Sequence, residues 1–263
     1  MADKARPSLG QTQKQFGRQA GRYAQSSLHR RGDTLDTVLE LANLRGEERA
    51  LDVGTGAGFT AFAVAPLAGR VIASDPTPEM LVEARQIAPQ ASGGGKVEWA
   101  LAASEALPFA SGSIDLLTCR FATHHFQDLP RALREFARIL RPGGRAVICD
   151  VVAPEPPALV QLMNALESKR DPTHVWNYPL SRWHQELLPA SGLVPQRVVQ
   201  GKNPQLFSEW VHRAGTPAEA VQELIEMFST AGEEARQAFQ VRWDGAELYF
   251  AWDNAVILAA RAG

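Results

Sequence analysis

The sequence has no hydrophobic run of the roughly 20 residues that a bilayer-spanning helix needs. Its first residues, Met1 to Arg6, lack the apolar region of a secretory signal peptide. It also contains only two cysteines, Cys119 and Cys149, which are too few for a disulfide framework or a cysteine metal cluster. We therefore expect a cytoplasmic protein with reduced thiols in its core strands, no metal site and no stable membrane association.

A strong charge of either sign is also missing. The 263 residues carry a formal net charge of −2, with 45% hydrophobic and 21% charged residues, so nothing indicates a nucleic-acid partner. Basic residues collect in 1–31 and glutamates in 219–234, which we interpret as solvent-exposed helix faces. The alternative, a local basic patch for an anionic substrate, stays open, and so does a homodimer.

The most informative stretch runs from Ala50 to Phe59, where an apolar run and Asp52 precede three glycines spaced two residues apart. Glycines let a backbone turn sharply out of a strand and approach a ligand closely. Phe59 stands where a dinucleotide fingerprint has its third glycine, and no Gly-Lys-Ser/Thr of a P-loop follows, so we expect neither NADH nor ATP to bind. An acid before a loop without basic residues suits a positively charged ligand such as S-adenosylmethionine (SAM). The alternative is a tight turn without a ligand.

A second acid supports a nucleoside ligand. Val71 to Asp75 is an apolar run that ends in a carboxylate, 23 residues after Asp52 (75 − 52). At that distance a βαβ unit brings its second strand beside the first, and the carboxylate can accept both ribose hydroxyls. Thr77 and Pro78 then predict a helix start that turns Met80 inward.

With these motifs the chain resembles the class I SAM-dependent methyltransferases, in the group that includes the ubiquinone/menaquinone C-methyltransferases. The resemblance continues in order through Ser104 to Phe109, Ser113 to Asp115 and Arg141 to Gly144. It implies SAM as cofactor, S-adenosylhomocysteine (SAH) as product, and an adenine site beside Ser104 and Glu105. Relatives usually carry an aspartate where this chain has Ala103, so adenine recognition is expected to use the neighbouring backbone or another side chain.

The expected cofactor contacts lie in the N-terminal segment and in the loops that follow the first four strands. They are Tyr23, Asp52, Gly54, Thr55, Gly56, Asp75, Pro76, Met80, Ala103, Ser104, Glu105, Arg120 and Phe121.

Alternating strand and helix patterns predict a parallel sheet covered on both faces. Strand-like runs lie at 49–53, 71–75, 97–101, 114–119, 145–151, 193–199 and 248–259; helical patterns lie at 34–44, 58–67, 78–88 and 129–140. We expect a Rossmann-like, seven-stranded, mostly parallel sheet in one methyltransferase domain, 1–263, whose last strand runs antiparallel as the resemblance implies. Residues 1–32 would form an N-terminal lid, and 156–190 and 205–240 would form a helical cap over the substrate.

The loop after the fourth strand contains the candidate catalytic residues. It lacks the Asn/Asp-Pro-Pro-Tyr/Phe signature of amino-methylating nucleic-acid enzymes and the catalytic acid of aminopropyltransferases. His124 and His125 could face the transferred methyl group, and one of them could act as a base at neutral pH. The alternative is that an imidazole packs under the loop and bonds a backbone carbonyl.

The candidate substrate residues are polar and aromatic side chains, expected either to line a pocket or to pack in a core. They are His29, Arg170, His174, Trp176 and Tyr178. We expect SAM-dependent methyl transfer to oxygen, carbon or nitrogen of a small-molecule acceptor. A quinone-pathway C-methyltransferase and a SAM-binding protein without turnover are the alternatives.

Overall fold

The computed structural model describes residues 6–25 and 32–263. Its centre is a sheet with strand order β3-β2-β1-β4-β5-β8-β6, and a short strand, β7, pairs with β8. The strands are β1 Arg49–Val53, β2 Arg70–Asp75, β3 Val97–Leu101, β4 Ile114–Arg120, β5 Leu140–Val152, β6 Leu193–Leu206, β7 Arg242–Asp244 and β8 Glu247–Arg261. The first five strands are parallel, while β8 is antiparallel to its neighbours β5, β6 and β7.

The described helices surround this sheet and extend beyond its carboxyl edge. They are α1 Leu9–Gln25, α2 Asp33–Ala42, α3 Phe59–Val64, α4 Pro78–Ile87, α5 Leu129–Ile139, α6 Pro157–Arg170, α7 Leu180–Arg182, α8 Phe207–Ala214, α9 Ala218–Ser229 and α10 Glu233–Ala238. A π-helical turn, Trp183–Leu187, continues α7, and 3-10 turns lie at Ala88–Gln90, Gly94–Lys96, Thr123–His125 and Pro189–Ser191. No helix in the described ranges is long and apolar enough to cross a membrane.

Both faces of the sheet are covered by helices, because successive side chains of a strand point to opposite faces. Leu51 and Val53 of β1 belong to a core with α5, while Ala50 belongs to a second core with α2 and α3. The predicted mostly parallel α/β fold is therefore confirmed.

The eighth strand, β7, was not predicted from the sequence. Asp244 of β7 pairs with Glu247 of β8, so Gly245 and Ala246 form the two-residue turn of this hairpin, where Gly245 adopts a φ of 60°. Glycine is favoured at the first position of such a turn because it tolerates positive φ.

The start of the long strand β8 carries a third hydrophobic core. β6 extends to Leu206, well beyond the predicted end 199, whereas β8 starts at Glu247, one residue before the predicted 248. The start of β8 packs with α6, α8, α9 and α10 through large side chains that include Phe207, Trp210 and Phe250. This helical region, called the cap below, consists of residues 157–170 and 207–239.

Residues 180–191 pack differently from the rest of 156–190, which was predicted to form one cap. Trp183, Leu187 and Leu188 belong to the core of the sheet, together with Phe136 of α5. Their apolar side chains face α5 rather than α9, so this stretch is part of the helical layer over the sheet. The first insertion is therefore divided between the cap and the sheet.

Candidate functional site

Two adjoining cavities lie beyond the carboxyl ends of β1, β2 and β4, where ligands bind in open α/β sheets. The outer cleft has a volume of about 950 Å³, part of it open to solvent, and is lined by Leu9, Thr12, Phe16, Tyr23, Val53, Gly54, Thr55, Gly56, Ala57, Phe59, Thr60, Asp75, Pro76, Thr77, Met80, Ala102, Ser104, Glu105, Arg120, Phe121, Ala122, His125, Phe126 and Gln127. The inner chamber has a volume of about 530 Å³, also partly open to solvent, and is lined by Phe16, Tyr23, Phe121, His124, His125, Val151, Glu167, Arg170, Asn177, Asn203, Gln205, Trp210, Arg213 and Trp252. The two cavities share Phe16, Tyr23, Phe121 and His125, so these four side chains lie at their junction.

The glycine loop, residues 54–58, forms one wall of the outer cleft. Gly54 and Gly56 have φ values of 66° and 53°, in the left-handed region that side chains disfavour. A Cβ on Gly54 would lie 2.6 Å from Cβ of Ala122, whereas a Cβ on Gly56 would meet no atom within 4 Å. The absence of a side chain at Gly56 therefore leaves open space in the cleft.

Asp52 holds this loop in place from below. Its carboxylate accepts hydrogen bonds from the hydroxyls of Thr55 at 2.6 Å and Thr118 at 2.7 Å. Burial, opposed by these two hydroxyls, raises the pKa of Asp52 to about 6. Asp52 is not among the described residues that line either cavity, so its contact with a ligand stays a prediction. Its hydrogen bond with Thr55 positions the loop.

Asp75 lies in the outer cleft at the end of β2. Its carboxylate accepts hydrogen bonds from the backbone N–H groups of Gly56 and Thr77, each at 2.9 Å. Burial, opposed by these bonds, raises the pKa of Asp75 to about 6. Each carboxylate oxygen has room for a second hydrogen bond, so Asp75 can accept ribose hydroxyls.

The residues expected beside adenine lie in the loop after β3. Ser104 and Glu105 line the cleft, while Ala103 is not among the described lining residues. Glu105 accepts hydrogen bonds from the Ser104 hydroxyl and from the backbone N–H groups of Gln127 and Asp128. These bonds tie the loop after β3 to the start of α5.

Arg120 and Phe121 end β4 and reach the cleft together. The buried guanidinium of Arg120 donates to the Thr60 hydroxyl at 3.1 Å and lies 5.3 Å from the ring centroid of Phe121. Phe121 has a φ of 55°, a strained value for a bulky residue, and its N–H donates to Cys149 O at 2.8 Å. This backbone turn places the Phe121 ring at the junction of the two cavities.

His124 is held by a buried carboxylate. Nδ1 of His124 donates to Asp150 Oδ1 at 2.7 Å, and Asp150 Oδ2 accepts from the His124 N–H and the Thr123 hydroxyl. Burial favours the neutral ring, but the charge and hydrogen bond of Asp150 outweigh it and hold the pKa of His124 above its ordinary value. Because Nδ1 is engaged, Nε2 is the nitrogen left to accept a proton.

His125 has a different environment. Its Nδ1 donates to the Thr173 carbonyl at 3.1 Å, and its ring lies edge-on to Phe16 with centroids 4.7 Å apart. Burial and the adjacent charge of His124 lower the pKa of His125 to about 4. A histidine with so low a pKa is neutral at pH 7 and is a weak base, so His124 is the stronger base of the two.

The inner chamber has a charged and aromatic wall on the cap side. Glu167 pairs with Arg170 at 3.0 Å and accepts a hydrogen bond from Trp252 Nε1 at 2.6 Å. Arg170 also donates to Trp210 O at 3.1 Å and lies 5.1 Å from the Trp210 ring. Both carboxylate oxygens of Glu167 are therefore engaged within the protein.

Polar side chains from β6 and α8 complete the chamber. Arg213 donates to Gln205 Oε1 at 2.8 Å, and Asn203 precedes Gln205 by two residues on the same strand face. Asn177 is buried, and within the described ranges its side-chain oxygen has no hydrogen-bond partner.

Three of the predicted substrate residues do not line either cavity. His174 donates from Nε2 to Asn164 Oδ1 at 2.8 Å, while Trp176 packs on the cap core and Tyr178 on the sheet core. Asn164 also binds both backbone groups of Asn177, which fixes this loop against α6. Arg170 does line the chamber, and His29 lies outside the described residues.

Helix α1 passes over both cavities. On the sheet side Gln13 donates to Pro76 O at 2.7 Å, and on the cap side Gln15 donates to Ala214 O at 2.7 Å. Phe16 and Tyr23 of the same helix line both cavities, with ring centroids 5.3 Å apart. The helix thus links the sheet to the cap with its aromatic side chains at the junction.

Most of the residues that line the chamber were not predicted from the sequence. Glu167, Asn177, Asn203, Gln205, Trp210, Arg213 and Trp252 come from four separate elements and the loop after α6. The one available signal was the period-two pair Asn203 and Gln205 in a strand that extends past 199, since buried polar residues on a strand face often line a site.

Comparison with known proteins agrees with this arrangement. A family model described as a methyltransferase domain matches residues 51–148. The methyltransferase YcgJ of Bacillus subtilis is 38% identical over 224 residues, which cover 85% of this chain and 88% of YcgJ. Its crystal structure superposes with a TM-score of 0.83, at 35% identity over 88% of this chain and 98% of that one.

Two further relatives match to different extents. Protein YafE of Escherichia coli is 33% identical over 216 residues, covering 80% of this chain and 99% of YafE. The ubiquinone/menaquinone biosynthesis C-methyltransferase UbiE of Paracoccus denitrificans is 34% identical over 143 residues, covering 51% of this chain and 56% of UbiE. The similarity to UbiE is thus confined to about half of each chain.

Proposed function

The chain belongs to the class I SAM-dependent methyltransferases, and we propose that it binds SAM in the outer cleft and methylates a small acceptor held in the inner chamber. The observation that carries this proposal is the junction of the two cavities at Phe16, Tyr23, Phe121 and His125. A cofactor bound on one side of the junction can thereby meet an acceptor on the other side.

The residues of the outer cleft fit SAM. Asp75 supplies carboxylate oxygens for the ribose, and the open space beside Gly56 lets a ligand approach the backbone. Ser104 and Glu105 line the side assigned to adenine, with Met80 and Pro76 nearby. SAM supplies a methyl group on a sulfonium, which is transferred as the nucleophile displaces the thioether.

Tyr23, Arg120 and Phe121 are proposed to hold the methionine end of SAM. All three line the outer cleft, and Tyr23 and Phe121 also reach the chamber. Placement of the two reactants and exclusion of water provide most of the rate in such a displacement.

His124 is proposed as the base where the acceptor must lose a proton. It lines the chamber, and Asp150 fixes its ring so that Nε2 is available. The acceptor proton passes to Nε2 of His124, and Asp150 stabilises the imidazolium that forms. His125 is proposed to shape the junction as a neutral ring.

A compact polar acceptor fits the chamber better than a quinone with a long tail. Glu167, Arg170, Arg213 and three carboxamides line it, and such groups are costly to bury against a hydrocarbon chain. The partial similarity to UbiE therefore supports the cofactor cleft more than it supports the UbiE acceptor.

Incubation of the protein with SAM and a panel of small hydroxylated, carbon-acid and amine metabolites tests this function. Mass spectrometry should detect SAH together with a product one methyl group heavier than the acceptor. The His124→Gln variant should bind SAH but form that product more slowly. Tight SAM binding without SAH formation over the whole panel would favour a SAM-binding protein without turnover.

A further inference from the structure

Arg213 is a half-buried cation in the inner chamber that the methyl-transfer chemistry does not use. Its described hydrogen bond is to a neutral carboxamide oxygen of Gln205, and no described carboxylate forms an ion pair with it. The two oxygens of Glu167 accept hydrogen bonds from Arg170 and Trp252, and no hydrogen bond from Arg213 to Glu167 is described.

A second cation, Arg170, also lines the chamber. Burial, and then the charge of Arg170, lowers the pKa of Arg213 to about 10, so the two guanidinium groups repel each other. Glu167 and Glu209 act in the opposite direction, but more weakly. Because removal of cations from water is costly unless an anion compensates them, this pair of arginines favours an anionic ligand.

Asn177 is an independent sign of a polar ligand. Asn177 is 2% exposed and lines the chamber, and its Oδ1 has no hydrogen-bond partner among the described residues. Asn164 fixes the backbone of Asn177 on both sides, so the side chain is held in place. An unpaired buried acceptor is stabilised when a ligand supplies a hydrogen-bond donor.

The rest of the wall is aromatic. Trp210 and Trp252 line the cap side, while Phe16, Tyr23 and Phe121 line the junction. Burial raises the pKa of Tyr23 to about 12, against the opposing charge of Arg170, so its hydroxyl stays neutral and adds no negative charge. Aromatic rings of this kind fit the faces of a flat ligand.

The geometry points to a planar carboxylic acid with a hydroxyl or amino donor as the acceptor class, its carboxylate on Arg213 and its donor on Asn177. A guanidinium matches a carboxylate with two parallel hydrogen bonds, and Arg213 has N–H groups left for them. This inference rests on the proposed function, because it assigns the substrate of the same chamber.

Calorimetry on the SAH-saturated protein tests this inference with matched probes. Each of the three hydroxybenzoate isomers is titrated beside its amide, which has the same shape without the charge. At least one hydroxybenzoate should bind about tenfold or more tightly than its amide, and Arg213→Gln should remove that preference. Arg213→Lys should retain part of it, and Arg236→Gln, at an exposed site, should retain all of it.

The affinity for SAH separates this test from the test of the cofactor site. If Arg213→Gln binds SAH normally and loses the carboxylate preference, the assignment stands. It is overturned if no isomer binds better than its amide, or if Arg213→Gln leaves the preference unchanged. Failure of the wild-type protein to bind SAH would instead overturn the proposed function.

Discussion

The carboxylate of Asp75 accepts a hydrogen bond from the backbone N–H of Gly56 at 2.9 Å, which connects the end of β2 directly to the glycine loop after β1. The two motifs that are separate in the sequence therefore form one wall of the outer cleft. A change at either residue is expected to affect the same ligand.

Asp75→Asn should weaken SAH binding at least tenfold. The variant replaces a charged acceptor, and a charged hydrogen bond is worth roughly 1.5–3 kcal/mol. Calorimetry at pH 7.5 measures the effect, with Asp244→Asn in the exposed β7 hairpin as the control. Equal affinities for the two variants would contradict the assignment of Asp75.

The same site predicts a pH dependence. Burial raises the pKa of Asp75 to about 6, so the carboxylate becomes protonated as the pH falls through that value and loses acceptor capacity. Adenosine affinity should therefore decrease below about pH 6. Adenosine is the suitable probe because it carries the ribose without the amino-acid end. Asp75→Asn should reduce this dependence, and an unchanged profile in that variant would place its origin elsewhere.

Gly56→Val should abolish SAM binding while the protein remains folded. Its side chain would occupy the open space of the cleft, where a Cβ meets no protein atom within 4 Å. Gly143→Val is a matched control, because Gly143 also has a positive φ, 74°, and open space, but lies in β5, near the start of the strand where its pairing with β4 is irregular. Both variants place a valine at a positive φ and therefore carry a similar backbone strain. Only Gly56→Val should lose SAM binding.

His124→Gln should lower turnover about a hundredfold once an acceptor is known, with SAH affinity little changed. Asp150 holds the pKa of His124 above its ordinary value, and a base must be deprotonated to work, so the wild-type rate should rise as the pH rises through that pKa. Asp150→Asn should move this rise to lower pH. His184→Gln, at an exposed site, is the control.

A pH profile that Asp150→Asn does not shift would exclude His124 as the base. An effect of less than threefold for both His124→Gln and His125→Gln would leave placement alone as the source of the rate.

The sequence predicted the sheet and several residues that line the outer cleft, because their signals are local. A strand, a glycine turn and an acid at a fixed distance, as in β1 and β2, specify one βαβ unit and its ligand edge. The chamber has no such signal: Tyr23, Glu167, Gln205 and Arg213 are far apart in the chain and meet only through tertiary packing. For the run after Arg170 the sequence left pocket lining and core packing open, and His174 and Tyr178 pack against other parts of the protein.

Trp183→Ala should destabilise the whole protein rather than the cap alone. Trp183 is 2% exposed in the core formed with α5, and removal of a buried aromatic ring costs about 3–5 kcal/mol. Trp243→Ala, at a site that is 44% exposed, should cost less than about 0.5 kcal/mol. Denaturant unfolding measures both values. A small effect of Trp183→Ala on the free energy of unfolding would instead indicate that residues 180–191 pack as part of the cap.

Tyr23→Ala should weaken SAH retention and slow turnover together. The ring lines both cavities on a helix that Gln13 ties to the sheet and Gln15 ties to the cap, so its loss opens the junction to water from both sides. Water at the junction weakens the electrostatic contacts of the cofactor and of the acceptor alike.

Stopped-flow displacement of SAH should show faster release from Tyr23→Ala, and single-turnover kinetics with saturating SAM should show a slower chemical step. Lys14→Ala is the matched control, because Lys14 lies on the exposed side of the same helix. Tyr23→Phe keeps the ring and should retain most of both properties if the ring closes the junction. Faster release with an unchanged chemical step would limit Tyr23 to the cofactor cleft, and no change in either would remove α1 from the proposed mechanism.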